Sequence, residues 1–267
     1  MVLTTDTNGR AKVRVIEATK VYETKTGRVH ALEGFSMDIL SGEFVCLLGP
    51  SGCGKTTLLW ALAGLHALTR GQILLDGHAV ISPQPREMGM VFQDANLLPW
   101  RDVLQNIKFP FEIKAIRPDA ERIRSLLEAT GLVGFERAYP RELSGGMQQR
   151  ASIVRALAQD PSVLLMDEPF GALDAFTRDE MNLLLLKLWG ASHKTVVFVT
   201  HNISEAIFLA DRVIVMTARP GRLARVFQID LPRPRTLEMM FDAHFIETIQ
   251  AIKAVVESGV PHAVEIA

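Results

Sequence analysis

Cysteine is scarce in this sequence: Cys46 and Cys53 are the only two among 267 residues. A small secreted scaffold stapled by disulfides is therefore excluded, and two free thiols suit a reducing compartment. A charge excess is missing as well. The formal net charge is -1, so there is no basic surface of the kind nucleic acid selects, and no nucleic-acid partner is expected. No apolar run approaches the roughly 20 residues that cross a bilayer. The leucines at 183–186 are stopped by Lys187, and the run after Thr57 is interrupted by His66. Residues 1–10 are polar and lack the apolar centre of a signal peptide. Tandem repeats and low-complexity tracts are absent too. Such a chain reads as soluble, and it would act on a membrane through a partner.

Hydrophobic residues, by contrast, make up 48%, enough to bury a large α/β core. Residues 13–21 and 35–39 read as strands. Residues 44–48 form a short apolar run that stops at Gly49, the pattern of a strand buried on both faces of a parallel sheet. A Gly-rich turn follows, then a buried helix over 57–68. Strands at 72–75 and 78–81 flank Asp76-Gly77, a hairpin turn signal. Another strand covers 88–92. Residues 101–159 look helical, with breaks at Pro110, Pro118 and Pro140. Buried strands return at 162–166, 195–199 and 212–216, with a helix over 178–189. Strands alternating with helices imply a largely parallel sheet, and the helical stretch reads as a subdomain inserted at about 95–159. The body spans 13–230. Residues 231–267 form a linker, Leu231-Pro232-Arg233-Pro234-Arg235, and a helical tail. On that tail Phe241, Phe245, Ile249, Ile252 and Val256 share one face, read as packing against the body.

The turn after residue 48 is Gly49-Pro50-Ser51-Gly52-Cys53-Gly54-Lys55-Thr56, with Thr57 next. It fits G-x-x-x-x-G-K-S/T. A polyphosphate is gripped by backbone N–H groups, so the loop must wrap it closely. Gly49, Gly52 and Gly54 permit that approach. The helix beginning near Lys55 aims its free N–H groups and positive dipole end at the phosphates. Lys55 brings a charge to the β- and γ-phosphates, and the Thr56 hydroxyl is placed for Mg²⁺. These features point to a nucleotide site that takes Mg²⁺ with its phosphates, though the loop alone does not separate a kinase, a GTPase and a motor ATPase.

A second apolar strand ends on two acids, Asp167 and Glu168. Asp167 is on the metal side, acting through water, and Glu168 is the candidate to polarise the attacking water. His201 follows a third strand by two residues, where it can hydrogen-bond the γ-phosphate and orient Glu168. His30, His66 and His193 have no such context and read as background. Further on, Leu143-Ser144-Gly145-Gly146-Met147-Gln148-Gln149-Arg150 puts a second anion-binding helix N-terminus in one chain. One ATP does not need two cradles from one subunit. Two subunits arranged head to tail do, with each ATP between one chain's Lys55 loop and the other's Ser144 loop.

With these motifs in this order, the chain resembles the ATP-binding subunits of ABC transporters over about residues 13–230. The resemblance implies a P-loop NTPase fold: a RecA-like parallel-sheet core, an antiparallel β subdomain and an inserted α-helical subdomain. It makes 143–148 the signature motif, with Met147 where Gln is commonest. It implies that Tyr22 stacks on adenine, that Gln93 senses Mg²⁺ and the γ-phosphate, that Gly171-Ala172-Leu173-Asp174 touches the partner subunit, and that His201 is the switch histidine. The implied partners are a second copy of the chain, transmembrane permease subunits and, indirectly, an extracytoplasmic solute-binding protein. The implied location is the cytoplasmic face of the inner membrane. Residues 94–106, with Ala218-Arg219-Pro220-Gly221-Arg222 and 231–235, look like the nitrate, sulfonate and taurine importer branch. Leu97, Leu98 and Trp100 are candidates to meet the membrane subunit. The competing readings are an exporter or lipid-moving cassette, a non-transport ATPase of the same superfamily, and a kinase. Repair-type members of the superfamily carry a very long coiled coil where this chain has a compact helical insert, ribosome-acting members usually carry two cassettes where this chain has one, and a kinase would not need 143–148.

Overall fold

Strand β3 (Phe44–Leu48) divides its side chains between two cores. Val45 and Leu47 enter one cluster; Phe44, Cys46 and Leu48 enter the other. Strands β7 (Val163–Asp167) and β8 (Thr195–Thr200) divide theirs in the same way, with Leu165 and Val197 on one face and Leu164 and Phe198 on the other. Alternation on a sheet covered on both sides explains why these strands read as unbroken apolar runs. Each fully buried Leu, Val or Phe contributes about 1.5–3 kcal/mol relative to exposure. The computed structural model describes residues 11–25 and 27–258. The polar start at 1–10 and the last residues of the tail lie outside them.

The three strands belong to a six-stranded sheet in the order β10-β9-β3-β8-β7-β6, where β6 is Met88–Val91, β9 Arg212–Met216 and β10 Leu223–Gln228. Its pairings are parallel except that of β10 with β9. A second, antiparallel sheet has the order β2-β1-β4-β5, from β1 (Ala11–Thr24), β2 (Gly27–Leu40), β4 (Arg70–Leu75) and β5 (His78–Ala79). Helix α1 (Lys55–Leu62) joins the two sheets: Leu58, Leu59 and Leu62 share one core with Val13, Phe35 and Ile39 of the antiparallel sheet and Val45 and Leu47 of β3.

Between β6 and β7 lie α2 (Val103–Ile113), α3 (Ala120–Ala129) and α4 (Gly145–Leu157). They close on their own core of Val103, Ile107, Phe111, Ile123, Leu127 and Val154. Asp102 caps α2 by accepting from Gln105 N at 2.7 Å, and the Gln105 side chain returns a bond to Asp102 N, a reciprocal capping box. Helices α5 (Ala175–Ser192), α6 (Ile203–Leu209) and α7 (Ala243–Ser258) cover the far face of the large sheet.

The architecture is the expected α/β one, and several local expectations change. Asp76-Gly77 does turn a hairpin, with Leu75 opposite His78. The helix expected over 57–68 ends at Leu62. Gly64 takes φ +70°, and a Cβ there would stand 2.4 Å from the Ser82 carbonyl, so the chain must turn away. Pro110 does not break its helix; it sits inside α2. The lost backbone bond costs about 3 kcal/mol, and burial of Ile107 and Phe111 on either side offsets it. Phe241 is 82% exposed and precedes α7, so it leaves the tail stripe, while Phe245, Ile252 and Val255 are buried. Ile249 and Val256 are partly covered.

The segment at 231–235 is more than a linker. Arg235 is buried and its guanidinium donates to the carbonyls of Ile207, Phe208 and Ala210, the open C-terminal end of α6. Burial lowers its pKa to about 10. Arg233 pairs with Asp211 at 2.7 Å and lies over the Trp189 ring at 4.1 Å. The two arginines clamp the tail to the helix that follows His201.

Candidate nucleotide site

The loop from Gly49 to Gly54 leaves β3 and returns as α1 within a narrow space. A Cβ at Gly49 would meet the Met216 carbonyl at 2.9 Å, and one at Gly54, where φ is +102°, would meet the Ala31 carbonyl at 2.6 Å. Neither position admits a side chain. Gly54 is the N-cap of α1 and offers no capping side chain, so the first N–H groups of the helix are left for a ligand. Lys55 is 5% exposed. Its ammonium donates to the carbonyls of Gly49 at 2.7 Å and Pro50 at 3.1 Å, arching back across the loop. Cys46 and Cys53 are both free and buried. Burial raises the Cys53 thiol pKa, against the lowering effect of Lys55.

Thr56, one residue on, donates its hydroxyl to Asp167 Oδ1 at 3.0 Å. Asp167 ends β7, two strands away, and parallel ordering brings both to one sheet edge. Burial raises the Asp167 carboxyl above its usual range, the Thr56 hydroxyl opposes that, and the charge of Glu168 adds to it. A hydroxyl and a carboxylate so joined are hard oxygen donors of the kind Mg²⁺ takes alongside phosphate oxygens.

Glu168 takes φ +43°, the left-handed region that few side-chain-bearing residues adopt. Its N–H still bonds the Val199 carbonyl at 3.0 Å, so the strand ladder holds while the side chain is re-aimed. That side chain reaches His201 Nδ1 at 2.7 Å. Gln93 arrives at the same place: a Cβ added to Gly171 would be 3.7 Å from both Gln93 Nε2 and Glu168 Oε2. The Gln93 segment is tied to α4 by three bonds that sequence reasoning missed. Gln149 Nε2 donates to the Phe92 carbonyl at 3.1 Å, and Arg155 to the carbonyls of Asn96 and Ala95 at 2.7 and 2.8 Å.

One cleft of about 260 Å³ gathers much of this set. Ser51, Gly52, Gly54, Lys55, Thr56, Thr57 and Glu168 line it. Tyr22, Val29 and Ala31 of the antiparallel sheet line it as well, brought together because Tyr22 of β1 pairs with Val29 of β2. Val29, Ala31 and Arg219, the last from the β9–β10 turn, join the cleft from outside the expected set, and His66 stands behind Tyr22 without lining it. His66 meets the Tyr22 hydroxyl at 3.1 Å and stands edge-on to Trp60, with centroids 4.8 Å apart, so it is not the background residue it seemed.

Ser144, Gly145, Gly146 and Asp174 do not line the cleft. They form a second cluster. Ser144 caps α4, accepting from Met147 N at 3.2 Å, and Asp174 caps α5, accepting from Thr177 N at 3.1 Å and its hydroxyl at 2.7 Å. Those bonds to Thr177 hold the Asp174 carboxyl below its usual range. A Cβ at Gly146 would come 2.8 Å from Thr177 Cγ2, so the two helix starts are packed side by side. Arg178 braces the intervening loop through the Leu173 carbonyl at 2.8 Å.

Comparison with known proteins matches residues 32–171 to the ABC transporter family model. An aliphatic sulfonates import ATP-binding protein of Bacillus cereus is 43% identical over 224 residues, 84% of this chain and 88% of that protein. A taurine import ATP-binding protein of Rhizobium johnstonii is 46% identical over 224 residues, 83% and 85% of the two chains. Among solved structures, a dimeric ATP-binding cassette in a post-hydrolysis state, bound to ADP and phosphate, aligns with TM-score 0.72 at 33% identity. It covers 82% of this chain and all of its own.

Proposed function

This chain belongs to the ABC transporter family as an ATP-binding and ATP-hydrolysing subunit, and we propose that the import it energises is that of a small organosulfonate. The observation that carries the ATPase reading is the cleft itself: its lining holds the Lys55 loop, Thr56 and Glu168, and Thr56 is bonded to Asp167 and Glu168 to His201. The sulfonate reading draws on the relatives' import of sulfonates and taurine.

In this reading the N–H groups of Gly49 and of Ser51 to Thr57, Cys53 among them, wrap the phosphates, Pro50, which has no N–H, shaping the loop between them, and Lys55 turns its ammonium from the loop carbonyls to the β- and γ-oxygens. Thr56, Gln93 and, through water, Asp167 would hold Mg²⁺, which would neutralise charge on those oxygens. Glu168 accepts a hydrogen bond from the attacking water and polarises it; His201 fixes the carboxylate that does so and reaches the γ-phosphate. Tyr22 stacks on adenine.

Ser144, Gly145, Gly146 and Asp174 act on the ATP of a second copy. That they do not line this chain's own cleft supports the assignment, as does the dimeric state of the solved relative. The assembly is completed by transmembrane permease subunits and an extracytoplasmic solute-binding protein, which sets the chain on the cytoplasmic face of the membrane. Among the described residues no helix is long and apolar enough to cross a membrane. Trp100 is 70% exposed beside the segment that Arg155 ties to α4, a surface suited to a permease helix.

The test is ATP hydrolysis in proteoliposomes holding the permease and binding protein encoded beside this chain. Ethanesulfonate or taurine should stimulate hydrolysis and be taken up. Stimulation by nitrate but by neither sulfonate would overturn the solute assignment and leave the ATPase standing.

A further inference from the structure

The run Ala218-Arg219-Pro220-Gly221-Arg222 has no part in the roles given above, yet it is built tightly against the cleft. It turns β9 into β10. The Thr217 hydroxyl donates to the Pro220 carbonyl at 2.9 Å and accepts from Arg222 N at 3.0 Å. Gly221 N donates to the Ala31 carbonyl at 2.9 Å, and the Gly221 carbonyl accepts from Glu33 N at 3.1 Å. Arg222 pairs with Glu33 at 2.6 Å. A Cβ at Gly221 would stand 2.1 Å from the Cys53 carbonyl. The turn is therefore wedged between β2 and the phosphate loop, anchored to the first and touching the second.

Arg219 projects from this wedge into the cleft wall. Its Nε donates to the Gly52 carbonyl at 3.3 Å. Unlike Arg222, it pairs with no carboxylate among the described residues. An uncompensated guanidinium on a fixed backbone, at the mouth of an anion cradle, is arranged to receive charge.

The sheet order says which charge. Asp167 and Glu168 come from β7 and His201 follows β8, on one side of β3, while β9 lies on the other side. Tyr22 pairs with Val29 of β2, Ala31 stands two residues further along that strand, and the Arg219 turn is bonded to Ala31, which puts the turn beside the strand pair that carries Tyr22. A nucleotide with its γ-phosphate at Glu168 and its base at Tyr22 brings only one charged group to that strand pair. We propose that Arg219 is a second cation of the nucleotide site and takes the α-phosphate. This rests on the reading of the cleft as an ATP site. A contact with a part of the nucleotide that hydrolysis leaves unchanged strengthens ATP, transition state and ADP alike, so it acts on KM rather than kcat.

The experiment compares the full chain with Arg219→Gln and Arg219→Lys by calorimetric titration with MgADP and, on the Glu168→Gln background, MgATP. Arg219→Gln should weaken both nucleotides by the same factor, about tenfold for a lost charge-assisted bond. Arg219→Lys should fall between it and the parent. The gap between parent and Arg219→Gln should narrow as salt rises, a change that mere loosening of the turn would not produce. Steady-state assays should show a higher KM with kcat retained. Weakened ATP with unchanged ADP would move Arg219 to the γ-phosphate and overturn the proposal. Unchanged affinity for both, or a loss indifferent to salt, would reduce it to an anchor of the turn. Parent protein that fails to bind MgADP, or binding that survives Lys55→Ala, would refute the nucleotide site itself rather than the role of Arg219.

Discussion

The hydroxyl of Tyr22 and Nδ1 of His66 lie 3.1 Å apart, and His66 in turn stands edge-on to Trp60. The ring that would carry adenine is thus held at its far tip. Tyr22→Ala should lose about 1–3 kcal/mol of nucleotide binding, the range for base–aromatic stacking. Tyr22→Phe keeps the ring and releases it from His66, so it should lose less. If the hydrogen bond is what orients the ring, Tyr22→Phe and His66→Ala should be non-additive, with a coupling of about 0.5–1.5 kcal/mol in a double-mutant cycle read from ADP titrations. Additive losses would leave His66 as simple packing.

Glu168→Gln keeps a partner for His201 and removes the carboxylate. Hydrolysis should slow by about 10²–10⁴-fold, the share of a positioned general base, while ATP still binds. The ATP-loaded variant should then accumulate as a dimer in light scattering, as the proposed closure of one copy's Ser144 and Asp174 helix starts over the nucleotide of the other requires. A variant that stays monomeric with ATP, even with the permease present, would remove the dimer from the mechanism.

Asp167 is expected to cost the nucleotide-free protein stability. Burial holds its carboxyl pKa above that of the unfolded chain. The folded state therefore keeps the proton longer, and stability falls as pH climbs from the unfolded to the folded pKa; above both, the cost is complete. Asp167→Asn retains an acceptor for the Thr56 hydroxyl and removes the charge. At pH 7 it should melt higher than the parent without nucleotide, with a difference that shrinks on acidification, while Mg²⁺-dependent hydrolysis collapses. Thermal scans at pH 7 and pH 4 decide it, and a variant that melts lower at pH 7 would refute the argument.

The local parts of this site were legible because each is written in consecutive residues: an apolar strand, a glycine turn, a lysine, a strand ending on acids. The β9–β10 turn was visible only as a run of letters. Its place against the Gly52–Cys53 backbone depends on β9 pairing with β3, an ordering that no local pattern encodes. His66 was passed over for the same reason, since its partner lies 44 residues away. The early end of α1 is imposed by Ser82 from outside the helix. Pro110 misled in the opposite direction: a breaker by propensity, it is tolerated where the buried face of α2 outweighs one missing bond.

The bonds from Lys55 to the carbonyls of Gly49 and Pro50 have a bearing on how the motor resets. An ammonium left without partners would let the loop fall inward after each product departs, and every cycle would begin by rebuilding the cradle. Here the lysine ties down the Gly49 and Pro50 carbonyls and so braces the loop before a nucleotide arrives. Arrival of the next nucleotide is then an exchange of partners at one cation. The conformational work of a turnover is left free for the movement of whole subunits.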